Sequence, residues 1–194
     1  MCINLQESLV TMTMVKVDRR VLKSQEAIKN AFMELMSEKD FNKITVKDIC
    51  NGANVGNRTF YLHYLDKFDL LDKMIEEHIR KLRNLCQSVS ELSFKEANVI
   101  WFEYFESHYL FFSTMLTGKG AFAFRKHFLE FVIEELKNDV DIIEGKNQGF
   151  SEALILTFFG SAIVGVVETY FMKGIPDPPE VVAEQLGMLL DRNL

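Results

Sequence analysis

Apolar side chains return every three or four residues along most of this chain, and no stretch alternates apolar and polar residues long enough to make a strand. Ile28, Ala31, Phe32, Leu35 and Met36 share one face of a helix predicted over residues 24–36. Val46 and Ile49 mark a short helix opened by Thr45, with Phe41 and Ile44 as apolar plugs beneath it. Phe60 and Tyr64, four apart, give an inward face to a helix over residues 57–64. Leu70, Leu71, Met74, Ile75 and Ile79 continue the stripe along a helix from Asp66 to residue 89. Residues 101–131 hold 11 of the chain's 23 Phe, Tyr and Trp residues, and Gly118-Lys119-Gly120 splits them into two helical segments. A second break falls at residues 145–149. Residues 150–173 then read as a long, strongly apolar helix, with Gly160, Ala162 and Gly165 suited to close helix approach. A turn rich in proline, 174–179, separates it from an amphipathic helix over 180–190 that carries Val181, Val182, Leu186, Leu189 and Leu190. The pattern has no internal repeat and predicts an all-α fold.

The local chemistry is sharpest between Thr45 and Leu71. Thr45 is suited to cap a helix, and Asp48 stands where a capping box needs its acceptor. Asn51-Gly52-Ala53-Asn54 is suited to end that helix, and Val55 to plug the corner before Gly56 and Asn57 start the next. With Phe60 and Tyr64 turned inward, Asn57, Arg58, Thr59, Tyr61, Leu62 and His63 are left on the outer side. Helix, short turn and helix with a polar outer face is the layout of a reader of the DNA major groove. In that reading Arg58 suits guanine O6 and N7, and Asn57 suits adenine. Leu62 can touch a thymine methyl, and Thr59 a phosphate or a base edge. Tyr61, His63 and Lys67 would bind phosphate, as would Thr45 at the start of its helix. The competing reading of the same residues is a solvated helix face.

These residues also carry a resemblance. The run ITVKDICNGANVGNRTFYLHYLDKFDLL resembles the DNA-binding signature of TetR-type transcriptional regulators, through Thr45-Val46, Ile49-Cys50, Ala53-Asn54-Val55-Gly56, Thr59-Phe60-Tyr61, Tyr64, Lys67 and Leu70-Leu71. Asn54 departs from the usual turn glycine, Gly56 from the usual capping serine, and Arg58 from the usual small residue or proline. The likeness covers about residues 20–75. It implies a three-helix helix-turn-helix head joined to a larger helical body for ligand binding and dimerisation, with a base or phosphate contact for Lys47. It implies that movement of the helix after Asp66 relays ligand binding to the head, and that the last two helices pack against a twofold mate. The divisions expected are a leader over 1–18, disordered or preceding the true start at Met12 or Met14, a DNA-binding domain over 19–68, and a regulatory body over 69–194. The expected function is a repressor that binds a palindromic operator in double-stranded DNA as a homodimer and is released by a small apolar or aromatic effector. The alternative is an activator or co-regulator whose body binds a partner protein.

Charge changes the picture modestly. The net formal charge is −6, but residues 16–83 carry 14 Lys and Arg against 11 Asp and Glu, whereas 84–194 carry 8 against 16. A mildly basic head on an acidic body fits a DNA contact confined to one end. Lys16, Arg19, Arg20 and Lys23 read either as an arm along a phosphate backbone or as a solvated leader. The aromatic block reads either as plain core or as the wall of a pocket, with Glu103, Glu106, His108 and Glu168 as polar groups within it. Three scattered cysteines, Cys2, Cys50 and Cys86, point to a reducing compartment rather than to disulfides or zinc. No Gly-rich phosphate loop, nucleophile elbow or metal-ligand spacing is present, so neither an enzyme, a cofactor nor a metal site is expected. The head of the chain lacks a secretory pattern, and no run is expected to reach the roughly 18 apolar residues of a membrane span. A cytoplasmic location follows from these readings.

Overall fold

The computed structural model describes residues 19–88, 93–118, 121–137 and 147–194. Among them are helices α1 (Arg19–Glu38), α2 (Val46–Gly52), α3 (Asn57–Tyr61), α4 (Lys67–Ser88), α5 (Phe94–Ser107), α6 (Tyr109–Thr117), α7 (Ala121–Leu136), α8 (Glu152–Phe171) and α9 (Pro179–Asn193), with a 3₁₀ turn at Phe41–Lys43 and no strand. The leader, with Lys16, Cys2 and the alternative start methionines, lies outside the described residues, as do residues 119–120 and 145–146 of the two expected breaks.

The basic segment is not a separate arm from Arg19 onward. Arg19, Arg20 and Lys23 form the first turns of α1, where Arg, Leu and Lys all favour helix and no proline or glycine interrupts them. Ile28, Ala31 and Phe32 bury the inner face of α1 against α2. Asp66 caps α4, its Oδ1 accepting from the amides of Phe68 (2.8 Å) and Asp69 (2.9 Å).

The aromatic block forms three helices rather than two. A break at His108 ends α5 and begins α6. There the His108 amide bonds the carbonyl three residues back, Phe105 O at 3.2 Å, in the tighter geometry of a helix end. The Ser107 hydroxyl donates to Tyr104 O (2.8 Å), and the His108 ring approaches the same carbonyl at 3.0 Å. Side chains thus compete with the helix for its own acceptors. Phe102, Phe105, Phe112, Phe124, Phe128 and Phe131 are all buried, ring on ring. This aromatic centre is continuous with the apolar residues under α1 to α3, so head and body share one core.

Two glycines permit close helix contact. A Cβ on Gly160 would lie 2.9 Å from Ile133 Cγ1 of α7, and one on Gly187 would collide with the α5 backbone at Lys95. Gly165, expected to act likewise, faces open space. The helix α8 also corrects the membrane expectation: by length and composition it is apolar enough to cross a bilayer, with a mean hydropathy of 1.8. It packs against α7, with Ile155, Leu156, Ile163, Val164, Val167 and Phe171 buried.

Candidate nucleic-acid interface

The turn between α2 and α3 is built by its own sequence. Thr45 Oγ accepts from the Asp48 amide at 3.1 Å, and Asp48 Oδ2 accepts from the Thr45 amide at 3.0 Å, completing the capping box. The far end of α2 closes with Asn54 in the left-handed region, φ 51°. The Val55 amide then reaches back to Cys50 O (3.0 Å) and the Asn54 amide to Asn51 O (3.2 Å). Those two bonds are the Schellman arrangement, with asparagine where glycine is commoner. Gly56 caps α3 through its backbone alone, its carbonyl accepting from Thr59 (2.9 Å) and Phe60 (3.2 Å).

Phe60 is fully buried and Tyr64 nearly so, with ring centres 5.5 Å apart. This anchors one side of α3 and turns Asn57, Arg58, Tyr61 and Leu62 to solvent, with Thr59 half-buried. Leu62 is 72% exposed, beside the exposed Tyr61. Lys47 stands exposed on α2. Among the described residues neither Lys47 nor Arg58 forms a salt bridge. The helix α3 is shorter than expected, ending at Tyr61. The His63 amide bonds Phe60 O (2.9 Å), three residues back, and the chain turns out of the helix there.

Three expected phosphate contacts find other partners. Thr45 Oγ donates to Asp48 Oδ2 at 2.8 Å, so its hydroxyl proton serves the cap. His63 Nε2 lies 3.1 Å from Ser24 Oγ on α1. The Ser24 hydroxyl also donates to Val21 O (2.8 Å). Lys67 Nζ donates to three carbonyls, Phe41 O (2.8 Å), Asn42 O (3.2 Å) and Ile44 O (2.8 Å). The structure brings Lys47, Asn57, Arg58, Thr59, Tyr61 and Leu62 to the outer surface of the helix pair and turns Thr45, His63 and Lys67 to intramolecular bonds.

Sequence reasoning missed Leu65, 80% exposed just past α3, and Lys73, which donates to His63 O at 3.1 Å. Lys73 was detectable as the partner of Asp69 at i+4 (2.9 Å), but nothing in the pattern marks its second bond.

Behind the interface, α1 and α4 are joined by Glu77, whose carboxylate takes Lys29 (2.8 Å) and Lys81 (3.0 Å). Burial would raise this carboxyl, but the two lysines outweigh it and hold it down to about 2. The next residue of α4, His78, is buried, stacked on Phe111 with ring centres 3.8 Å apart, its Nδ1 2.7 Å from the Tyr104 hydroxyl. Burial pushes this imidazole down to about 3, with the neighbouring His108 and Lys81 adding to the effect. Burial also raises the Cys50 thiol and pushes that of Cys86 up to about 12, so both are protonated at neutral pH. No cluster of His, Cys, Asp and Glu able to hold a metal occurs among the described residues.

Residues 28–74 match the family described as Bacterial regulatory proteins, tetR family, and residues 93–192 match the Transcriptional regulator C-terminal region of the same family. The chain belongs to the TetR family of transcriptional regulators. This TetR-family chain is 28% identical over 185 residues to the uncharacterized HTH-type transcriptional regulator YxbF of Bacillus subtilis (strain 168). That match covers 91% of the chain and 47% of the relative, so the chain spans about half the length of that protein. A TetR transcriptional regulator from Streptococcus agalactiae 2603V shares the fold with a TM-score of 0.70 and 25% identity, over 89% of this chain and 96% of that one. The transcriptional regulator FadR from Bacillus subtilis, solved in complex with stearoyl-CoA, shares it with a TM-score of 0.66 and 17% identity, over 87% and 98%. The TetR-family architecture of head and helical body, and the role in DNA-binding transcription regulation, are therefore those of the family.

Proposed function

We propose that this chain is a cytoplasmic repressor rather than an enzyme. It binds a palindromic operator as a homodimer and lets go when a small apolar or aromatic effector occupies the body. The observation that carries the DNA-binding part is the outward set Asn57, Arg58, Thr59, Tyr61 and Leu62 on and just past α3, held over a buried Phe60 and following a turn closed by the Asn54 and Val55 amides. Arg58 and Asn57 supply base-edge donors and acceptors, Leu62 an apolar contact for a thymine methyl, and Tyr61 and Lys47 phosphate contacts.

Pairing rests on α8 and α9. Leu154 and Phe158 on α8, and Val181, Met188 and Leu189 on α9, are exposed, and Gly165 leaves the α8 surface open to close approach. An isologous pairing of this face would bury it and fix the distance between two heads. The FadR complex supports an acyl or other greasy effector for a body of this architecture. Here an effector would act by favouring a head spacing that does not fit DNA.

The closed ring-on-ring packing of Phe102, Phe105, Phe112, Phe124, Phe128 and Phe131 favours a second reading, in which the body binds a partner protein and holds no small ligand. Thermal-shift screening with fatty acyl and aromatic compounds separates the two. A compound that raises the melting temperature and also releases bound duplex supports the effector. If no compound stabilises the protein while a partner protein does, the second reading replaces the first.

A further inference from the structure

The ammonium of Lys67 sits at the point where the chain enters the helix-turn-helix. Its three protons meet three converging carbonyls, those of Phe41, Asn42 and Ile44, at 2.8, 3.2 and 2.8 Å. It also lies 4.6 Å from the centre of the Phe41 ring and 5.5 Å from that of Phe68, and these two rings touch edge to face. Ile44 is buried and precedes Thr45, the residue that caps α2. The first turn of α4 therefore holds the segment that starts the DNA-contacting pair. At the opposite end of the pair, Lys73 of α4 donates to His63 O (3.1 Å) and to Asp69 Oδ2 (2.9 Å), its ammonium 5.4 Å from the Tyr64 ring centre. One helix thus holds both the beginning and the end of the helix-turn-helix through lysine-to-carbonyl bonds.

We propose that Lys67 is a positioning residue for DNA binding, setting the angle of the helix-turn-helix on α4 through the carbonyls of Phe41, Asn42 and Ile44 rather than by touching a phosphate. The proposal rests on the DNA-binding reading above. A charge used inside the protein releases no counterion when DNA binds, so its removal leaves the salt dependence of binding intact. Three acceptors converging from one loop also suit the compact, rotatable ammonium of lysine and not the planar fork of arginine.

The test compares the wild-type protein with Lys67→Met, which keeps the stem under Phe41, and with Lys67→Arg, which keeps the charge. The probe is a duplex selected by the wild-type protein from a random-sequence pool, with affinity measured over a range of salt. Lys67→Met is expected to weaken binding by about tenfold with an unchanged salt slope, and Lys67→Arg to leave that loss unrepaired. A salt slope smaller by about 0.9 per head, or full rescue by arginine, assigns the ammonium to a phosphate and overturns the proposal. Unchanged affinity with only a lower melting temperature overturns it too. If the wild-type protein selects no duplex, the DNA-binding reading itself fails, and hydrogen exchange in the free protein decides the clamp. Faster exchange at Ile44, Asp48 and Ile49 in either variant, with body amides unaltered, upholds it, and unaltered exchange at those amides overturns it.

Discussion

Arg58 is the side chain whose loss is read most directly. It is exposed on a helix fixed from below by Phe60, so truncation removes a contact without disturbing the core. Arg58→Ala should cost about 1–3 kcal/mol on the preferred duplex and relax discrimination at one base pair, measured by titration against single-base variants. A second prediction concerns His78. Its folded value of about 3 lies below the ordinary 6.5, so the unfolded chain takes up the proton first. The stability it contributes is complete above pH 6.5 and falls as the pH drops toward 3, by about 1.4 kcal/mol per pH unit within that window. Glu77, held at about 2 against an ordinary 4.5, contributes stability that is lost only below pH 4.5. Between pH 6.5 and 4.5 the slope therefore belongs to His78, and His78→Gln should flatten it in urea unfolding, with an unaltered slope counting against the assignment. At this scale the sequence marks side chains whose chemistry suits DNA, but not which of them the fold ties up in bonds of its own. A lysine or histidine in a DNA-binding signature looks the same whether it faces phosphate or, as with Lys67 and His63, a carbonyl 23 residues away or a serine 39 residues away.

Among the elements, local signals were legible where the chemistry is local. The Thr45–Asp48 box, the Asn54 turn and the Asp66 cap all lie within a few residues of their partners, and each stands where the sequence placed it. The early end of α3 and the break at His108 depend on which carbonyl wins a given amide, and hydrophobic periodicity does not record that competition. Gly56 has an extended backbone (φ −75°, ψ 151°), and a Cβ there would meet nothing within 4 Å. Gly56→Ser should therefore supply the missing side-chain cap and stabilise the head by about 0.5–1 kcal/mol in thermal melts. Gly187→Ala should do the reverse. Its methyl would meet the α5 backbone at Lys95, and separating α5 from α9 should cost about 1–3 kcal/mol or more, seen as a lower melting temperature.

For the whole molecule, the twofold pairing proposed above rests on the outward-facing apolar residues of α8 and α9. Phe158, 66% exposed on α8, is central to that surface. Phe158→Glu should shift the protein from dimer to monomer in analytical ultracentrifugation and weaken DNA binding without unfolding the chain, since the side chain is mostly exposed and its ring contact is with the adjacent Phe159 rather than with a fully buried core residue. A monomeric wild-type protein would reject the pairing, and a mutant that stays dimeric would place the interface elsewhere.

The most direct measurement is sequencing of duplex fragments retained by the purified protein from a random pool, run in parallel with Arg58→Ala. The account predicts an enriched inverted repeat whose half-site centres lie about 10 base pairs apart, or a multiple of that, with enrichment lost or degraded at one position per half-site in the variant. Absence of any enriched motif, or a single asymmetric site bound equally well by the variant, would contradict it.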